Sequence, residues 1–148
     1  MAASKEMEDN IRKFEEIGTH PAANNNAIAE ALAFNEAIGI DRKAERFRYL
    51  HKRWINRVKK YDNVKFLIDI DDESNWAGIV NFNITGVNIS KLAEYLLSKH
   101  RIFVVVIIFE EFKGLRITPN VYTMISEMDL FADVIESVAR GEIKEVME

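Results

Sequence analysis

The spacing of apolar positions changes several times along the chain, and each change predicts a new element. Spacings of three and four residues are typical of helices with one buried face. They predict four helices, over residues 24–39, 41–61, 88–100 and 126–141. The helix starts carry capping residues: one of Asn24, Asn25 or Asn26 for the first, Asp41 for the second, and a Ser126/Asp129 capping box for the last.

Four other stretches predict strands, over residues 65–70, 79–84, 102–109 and 114–118. In "IVNFNI", apolar residues alternate with Asn81 and Asn83, which is typical of a half-buried strand. The run "IFVVVIIF" is apolar at every position, which predicts a central strand covered on both faces. Pro119 ends the last strand because it cannot donate to a ladder.

The order of elements is two helices, two strands, a helix, two strands and a helix. This order predicts an α+β fold, in which helices pack on a small mixed or antiparallel sheet. We expect three segments: a loosely anchored lead over residues 1–21, a single α+β domain over 22–141, and a frayed acidic tail over 142–148.

Composition excludes several classes of function. The net charge of -4 gives no overall attraction to nucleic acid or to an anionic membrane. The chain has no cysteine, so its own residues form no disulfide, thiolate metal site or cysteine nucleophile. The polar start "MAASKEMEDN" is not a signal peptide, and the longest apolar run is too short to span a bilayer. The expected compartment is therefore the cytoplasm.

Three polar features have ordinary explanations. The helix over residues 41–61 is rich in lysine and arginine, but no stacking platform accompanies it, so we interpret it as a solvated helix face rather than a nucleic-acid surface. His20, His51 and His100 lack metal-ligand spacing, and core or helix-end positions are expected. The acidic run 69–73 lacks the spacing of a calcium loop and predicts a solvated turn. We expect no metal site.

The stretch "GLRITPNVYT", residues 114–123, places a permanently charged arginine, Arg116, near the end of an apparent strand. From these residues alone, two interpretations stay open. Either the side chain reaches out to water past its apolar neighbours, or it binds an anion.

Two stretches together resemble a known family. "KFEEIGTHPAANNNAIAEALAFNEAIG" and "GLRITPNVYTMISEMD" resemble the C-terminal, small domain of class V aminotransferase-like enzymes, which are fold-type I pyridoxal-phosphate (PLP) enzymes. The isopenicillin-N-epimerase-like members are the branch that they suggest. The resemblance runs from about Asn10 to about Gly141 and includes the order of elements between.

The resemblance implies roles for particular residues. Arg116 would bind the α-carboxylate of an amino-acid substrate, and Gly18 with Thr19 would approach the PLP phosphate, in many relatives across a dimer interface. We accordingly expect a homo-oligomer. Tyr122 and Thr123 would be positioning residues in the turn after the arginine.

The departures from the family are equally informative. These enzymes hold PLP on a lysine of a large N-terminal domain, whereas only Lys5 and Lys13 precede Gly18 here, and neither matches a lysine motif. The expectation is that the chain lacks that large domain, binds no PLP covalently and is inactive alone. The absence of cysteine argues against the desulfurase branch, which needs a cysteine on a loop of this domain.

The expected function is therefore a partial one. The chain would be the C-terminal domain of an enzyme that acts at the α-carbon of an amino acid, by transamination, epimerisation or elimination. The alternative is a free-standing α+β module for interaction or regulation without catalysis.

Overall fold

The computed structural model describes residues 9–14, 18 and 22–148. These residues belong to two compact units, Met1–Gly39 and Ile40–Glu148, which we describe separately. The described part of the first unit contains a 3-10 helix, Ile11–Phe14, and the helix α1, Ala22–Ile38.

The helix α1 differs from its prediction at its first end. It begins at Ala22, so the three asparagines lie inside the helix and the predicted asparagine cap is wrong. Its other end matches the sequence: Gly39 has a φ of 87° and its N–H donates to the Asn35 carbonyl. Ile28, Leu32 and Phe34 are all more than half exposed, so the apolar face of this helix is not part of a core.

The second unit contains three helices and one four-stranded sheet. The helices are α2 (Ile40–Val58), α3 (Ile89–His100) and α4 (Ile125–Ala139), and a 3-10 helix spans Lys144–Val146. The strands are β1 (Val64–Phe66), β2 (Val80–Ile84), β3 (Val105–Ile108) and β4 (Lys113–Ile117). The sheet is antiparallel throughout, in the order β1-β2-β4-β3, so the predicted α+β fold is confirmed.

One face of the sheet and the helices enclose the core. Trp54 of α2 lies at the centre, with its ring 5.0 Å from that of Phe82 in β2 and 5.4 Å from that of Phe131 in α4. Leu92 and Leu96 of α3 belong to the same core. The predicted stripe of α2 is therefore buried against the sheet, and it fixes the helix layer on this face.

The strand β3 is shorter and less covered than the sequence predicts. It lies at the edge of the sheet, pairs only with β4, and ends in Ile108, which is 60% exposed. The prediction of a central strand is wrong because an apolar run does not specify how many neighbours a strand has. A hairpin joins β3 to β4, and β2 already occupies the other side of β4.

Two further boundaries depend on side-chain hydrogen bonds. The strand β1 ends at Phe66, and the Leu67 N–H makes one more hydrogen bond, to the Asn81 carbonyl. Farther along the chain, Asp72 accepts from the backbone and hydroxyl of Ser74 and from Asn75, which closes a turn. The predicted Ser126/Asp129 capping box is also wrong. The helix begins at Ile125, and Glu127 accepts from the Met124 N–H at 2.7 Å.

The C-terminal residues are packed rather than frayed. Val146 is fully buried, its carbonyl accepts from the Asn88 N–H at 2.9 Å, and Met147 forms an isolated bridge with Val87. The limits 1–21, 22–141 and 142–148 themselves stay predictions. No helix in the described ranges is long and apolar enough to cross a membrane, and the expected compartment also stays a prediction.

Candidate functional site

Arg116 lies in β4 between two neighbouring strands. It pairs with Asn81 of β2 on one side and with Val105 of β3 on the other. Its neighbours in sequence, Leu115 and Ile117, are buried in the core. Because side chains alternate along a strand, Arg116 projects from the opposite face of the sheet. We call this second face the open face, and its other members are Lys65, Asn81, Asn83, Val105, Ile107 and Gly114.

The open face carries two buried polar atoms that have no partner. The Nε of Arg116 is buried and makes no hydrogen bond, and the same holds for the Oδ1 of Asn81. Each such atom has lost its water without gaining a partner, which costs about 1–3 kcal/mol. Unsatisfied buried polar groups are rare in folded proteins, so the pair calls for an explanation.

Gly114 keeps the backbone close to its neighbours beside this pair. A Cβ atom there would clash with the Phe82 carbonyl oxygen and would lie 2.6 Å from the ring of Phe112. Only glycine fits that space. The Phe112 ring can therefore pack against the backbone of β4 at Gly114, which lies two residues before Arg116.

A cleft of about 560 Å³ opens where β4 ends. Its walls come from the segment after α3, the turn after β4 and the first turns of α4, and they include Phe103, Thr118, Pro119, Tyr122 and Glu127. Tyr122 is 80% exposed and lines this cleft. Thr123 closes the turn, since its hydroxyl accepts from the Asn120 N–H and its carbonyl accepts from Arg46. Their predicted positioning roles stay predictions.

The basic residues of α2 are largely paired within the second unit. Arg53 donates two hydrogen bonds to Asp129, at 2.7 and 2.6 Å, and Arg57 pairs with Asp133 and Glu136. The hydrogen bonds from Arg57 and then Lys60 lower the pKa of Glu136 to about 2. The interpretation of a merely solvated face is therefore incomplete, because these cations join α2 to α4.

The two described histidines occupy the expected places. His51 is fully buried, and its Nδ1 accepts from the Trp54 indole at 3.1 Å. Burial lowers its pKa to about 4, although the Gly78 backbone acts in the opposite direction. His100 is the last residue of α3. His20 lies outside the described residues. Within the described ranges no group of histidine and carboxylate side chains could hold a metal ion.

Of the two residues assigned to the PLP phosphate, the structure describes only Gly18. Gly18 is exposed, with a φ of 119°, and a Cβ added to it would meet nothing within 4 Å. Thr19 lies outside the described residues. The predicted roles of Gly18 and Thr19 at the PLP phosphate therefore stay predictions, and no step through the cofactor follows from these residues. The buried Nε of Arg116, which has no partner among the described residues, fits an anionic ligand.

Comparison with protein-family models shows to which family the chain belongs. The sequence model of aminotransferase class-V matches residues 1–106. The chain belongs to the class-V aminotransferase family. The matched region ends within β3, so the motif with Arg116 lies beyond it. A comparison with curated proteins finds no match.

Solved structures of this family's type share the fold. The apo structure of cysteine desulfurase from Thermococcus onnurineus NA1 superposes with a TM-score of 0.71 at 23% identity, over 85% of this chain and 33% of that one. Alanine–glyoxylate aminotransferase from Nostoc sp. gives a TM-score of 0.62 at 19% identity, over 82% and 32%. The present chain spans about one third of the length of either structure.

Sequence reasoning assigned a role to Arg116, which stays a prediction, and assigned none to Asn81. The alternation of "VNFNI" placed Asn81 on the solvent side of β2, and nothing in the spacing said that β4 would bring an arginine beside it. Strand order is a tertiary property, so the available signal was only that an asparagine, a residue depleted in strands, stood there.

Proposed function

We propose that this chain supplies the substrate-carboxylate site of a PLP-dependent enzyme, with Arg116 as the residue that binds the α-carboxylate of an amino acid. The observation that supports the proposal is the buried Nε of Arg116 without a hydrogen-bond partner, on the open face of the sheet. Membership of the class-V family is consistent with such a substrate.

The chemistry of the side chain fits this role. A guanidinium stays charged at any physiological pH and presents parallel N–H groups that match the two oxygens of a carboxylate. No hydrogen bond or ion pair ties Arg116 to a carboxylate among the described residues, in contrast to Arg53 and Arg57. The charge of Arg116 is therefore available to a ligand.

The reaction class that we propose is chemistry at the α-carbon: transamination, epimerisation or elimination. PLP would supply the electron sink, and a lysine-bearing large domain, not found in these 148 residues, would hold it. Desulfuration is disfavoured because the segment 109–112 between β3 and β4 is a tight turn without a thiol, closed by Phe109 N–H to the Phe112 carbonyl. The isopenicillin-N-epimerase-like branch rests on the likeness of the closing arginine motif.

The test compares an amino acid with its decarboxylated amine in the PLP-loaded enzyme that contains this chain. Arg116→Ala should lower kcat/KM for the amino acid by an amount that corresponds to about 2–5 kcal/mol of lost transition-state stabilisation, because the charged partner of the carboxylate is lost. Arg116→Lys should lower it by less, because the charge is kept but misaligned. The penalty should largely vanish for the amine, which has no carboxylate.

A matched control is Arg140→Ala, since Arg140 already pairs with Glu142 in this chain. We expect that variant to keep full activity with both substrates. If Arg116→Ala slows the amino acid and the amine equally, Arg116 does not bind the carboxylate and the proposal is wrong.

A further inference from the structure

Arg116 and Asn81 face each other across two paired strands. They are register partners in the antiparallel ladder of β2 and β4, and both project from the open face. Directly opposed residues in such a ladder have Cβ atoms about 4.5–5.5 Å apart, which is within reach of one side-chain hydrogen bond.

Their unpartnered atoms are complementary. Arg116 Nε carries a hydrogen that can only be donated, and Asn81 Oδ1 can only accept. Both atoms are buried, and neither forms a hydrogen bond. The terminal nitrogens of Arg116 and the amide nitrogen of Asn81 make no hydrogen bond to a described residue and are not among the fully buried atoms without a partner, so they keep some exposure to solvent.

We propose that Asn81 is a positioning residue for Arg116, whose Nε–H it accepts when a carboxylate binds. A rotation of the side chains would pair Nε–H with Oδ1 and leave both terminal nitrogens turned outward as a fork. The inference rests on the proposed carboxylate-binding function of Arg116. It adds a neutral residue that sets the plane of the guanidinium without cancelling its charge.

Asn83 provides a matched control on the same strand and face. It is also half-buried, but its Oδ1 already accepts from the Ile84 N–H at 2.8 Å, and its register partner is Lys65 rather than an arginine. Asn83→Ala and Asn81→Ala therefore remove the same group from neighbouring positions, and only the second faces Arg116.

The experiment uses nitrogen-15 NMR of the 148-residue chain, with propionate as the carboxylate probe and propionamide as its neutral counterpart. The Arg116 Nε–H signal is assigned by its loss in Arg116→Lys. In the wild type and in Asn83→Ala, propionate should shift this signal and slow its exchange with solvent, and propionamide should not. In Asn81→Ala the signal should stay fast-exchanging, and propionate should bind about threefold to tenfold more weakly, as for one lost hydrogen bond.

Asn81→Asp supplies the conservative variant. Its carboxylate should hold the Arg116 Nε–H even without propionate, while its charge neutralises the fork and abolishes propionate binding. A purely structural role for Asn81 would not produce slow Nε–H exchange together with lost binding.

The possible failures are distinguishable. If Arg116→Lys binds propionate as tightly as the wild type, the proposed function of Arg116 is wrong, and the inference that rests on it falls with it. If Nε–H exchange is the same in the wild type and in Asn81→Ala, with and without propionate, Asn81 does not position Arg116 and the inference is overturned.

Discussion

The two faces of the four-stranded sheet differ in their residues: one face is apolar and buried, and the other carries polar side chains. On the helix-covered face, Val80, Phe82 and Ile84 of β2 are buried among aromatic rings. On the open face of the same strand, Asn81 and Asn83 take the alternate positions, and Asn81 keeps a buried oxygen without a partner. One strand thus stabilises the fold with one set of residues and leaves the other set available for binding.

The arginines show the same difference. Arg53 and Arg57 lie on the helix layer, and carboxylates of α4 satisfy them within this chain. Arg116 lies on the open face and has no such partner among the described residues. A cation that serves the fold finds its counter-charge in the fold, whereas an unsatisfied cation is a candidate for binding a ligand.

The largest expected loss of stability comes from truncating a side chain on the helix-covered face. Phe82→Ala should lower the free energy of unfolding by about 3–5 kcal/mol, because it leaves a cavity between the Trp54 and Phe131 rings. Asn81→Ala, one residue away on the open face, should lower it by less than about 1 kcal/mol. Urea unfolding of both variants measures the difference, and equal losses would contradict the division between the faces.

An intermediate effect is expected from the ion pairs of the helix layer. Arg57 and Lys60 lower the pKa of Glu136 to about 2 from an ordinary 4.5, so the folded state holds this carboxyl ionised. The resulting stability is present above pH 4.5 and is lost as the pH falls toward 2. Glu136→Gln should therefore be less stable than the wild type by about 1 kcal/mol at neutral pH, a surface-network value.

This difference should shrink as the pH falls through that window, and thermal unfolding of both proteins from neutral to acidic pH would show it. If the difference in stability between Glu136→Gln and the wild type stays constant with pH, the charge of Glu136 does not contribute to stability.

The smallest expected effect is on the stability of the Arg116 variants. Arg116→Ala should not lower the free energy of unfolding by more than about 0.5 kcal/mol, because no carboxylate in the described structure loses its partner. Urea unfolding of Arg116→Ala beside Arg57→Ala tests the contrast between the two kinds of arginine. A larger loss for Arg116→Ala would assign Arg116 to the fold rather than to a ligand.

Local patterns predicted most of the fold. The α2 stripe, the alternation in β2 and the short strand before Pro119 all correspond to elements of the structure. The side of an element that faces the core sets the spacing of its apolar residues, so this spacing can be recognised within one short stretch of sequence. The resemblance likewise identified Arg116 from a single stretch of sequence, and its role stays a proposal.

The remaining features depended on partners that are distant in sequence. The edge position of β3, the use of Asp129 as a partner for Arg53 and the meeting of Asn81 with Arg116 each join residues far apart along the chain. No local sequence pattern specifies such long-range contacts. By itself the sequence determined the elements, their buried faces and the presence of an arginine where apolar residues were expected. Only the tertiary structure decided which strand became an edge and left Arg116 with a buried Nε that has no partner among the described residues, because strand order and helix packing bring together residues that no spacing relates.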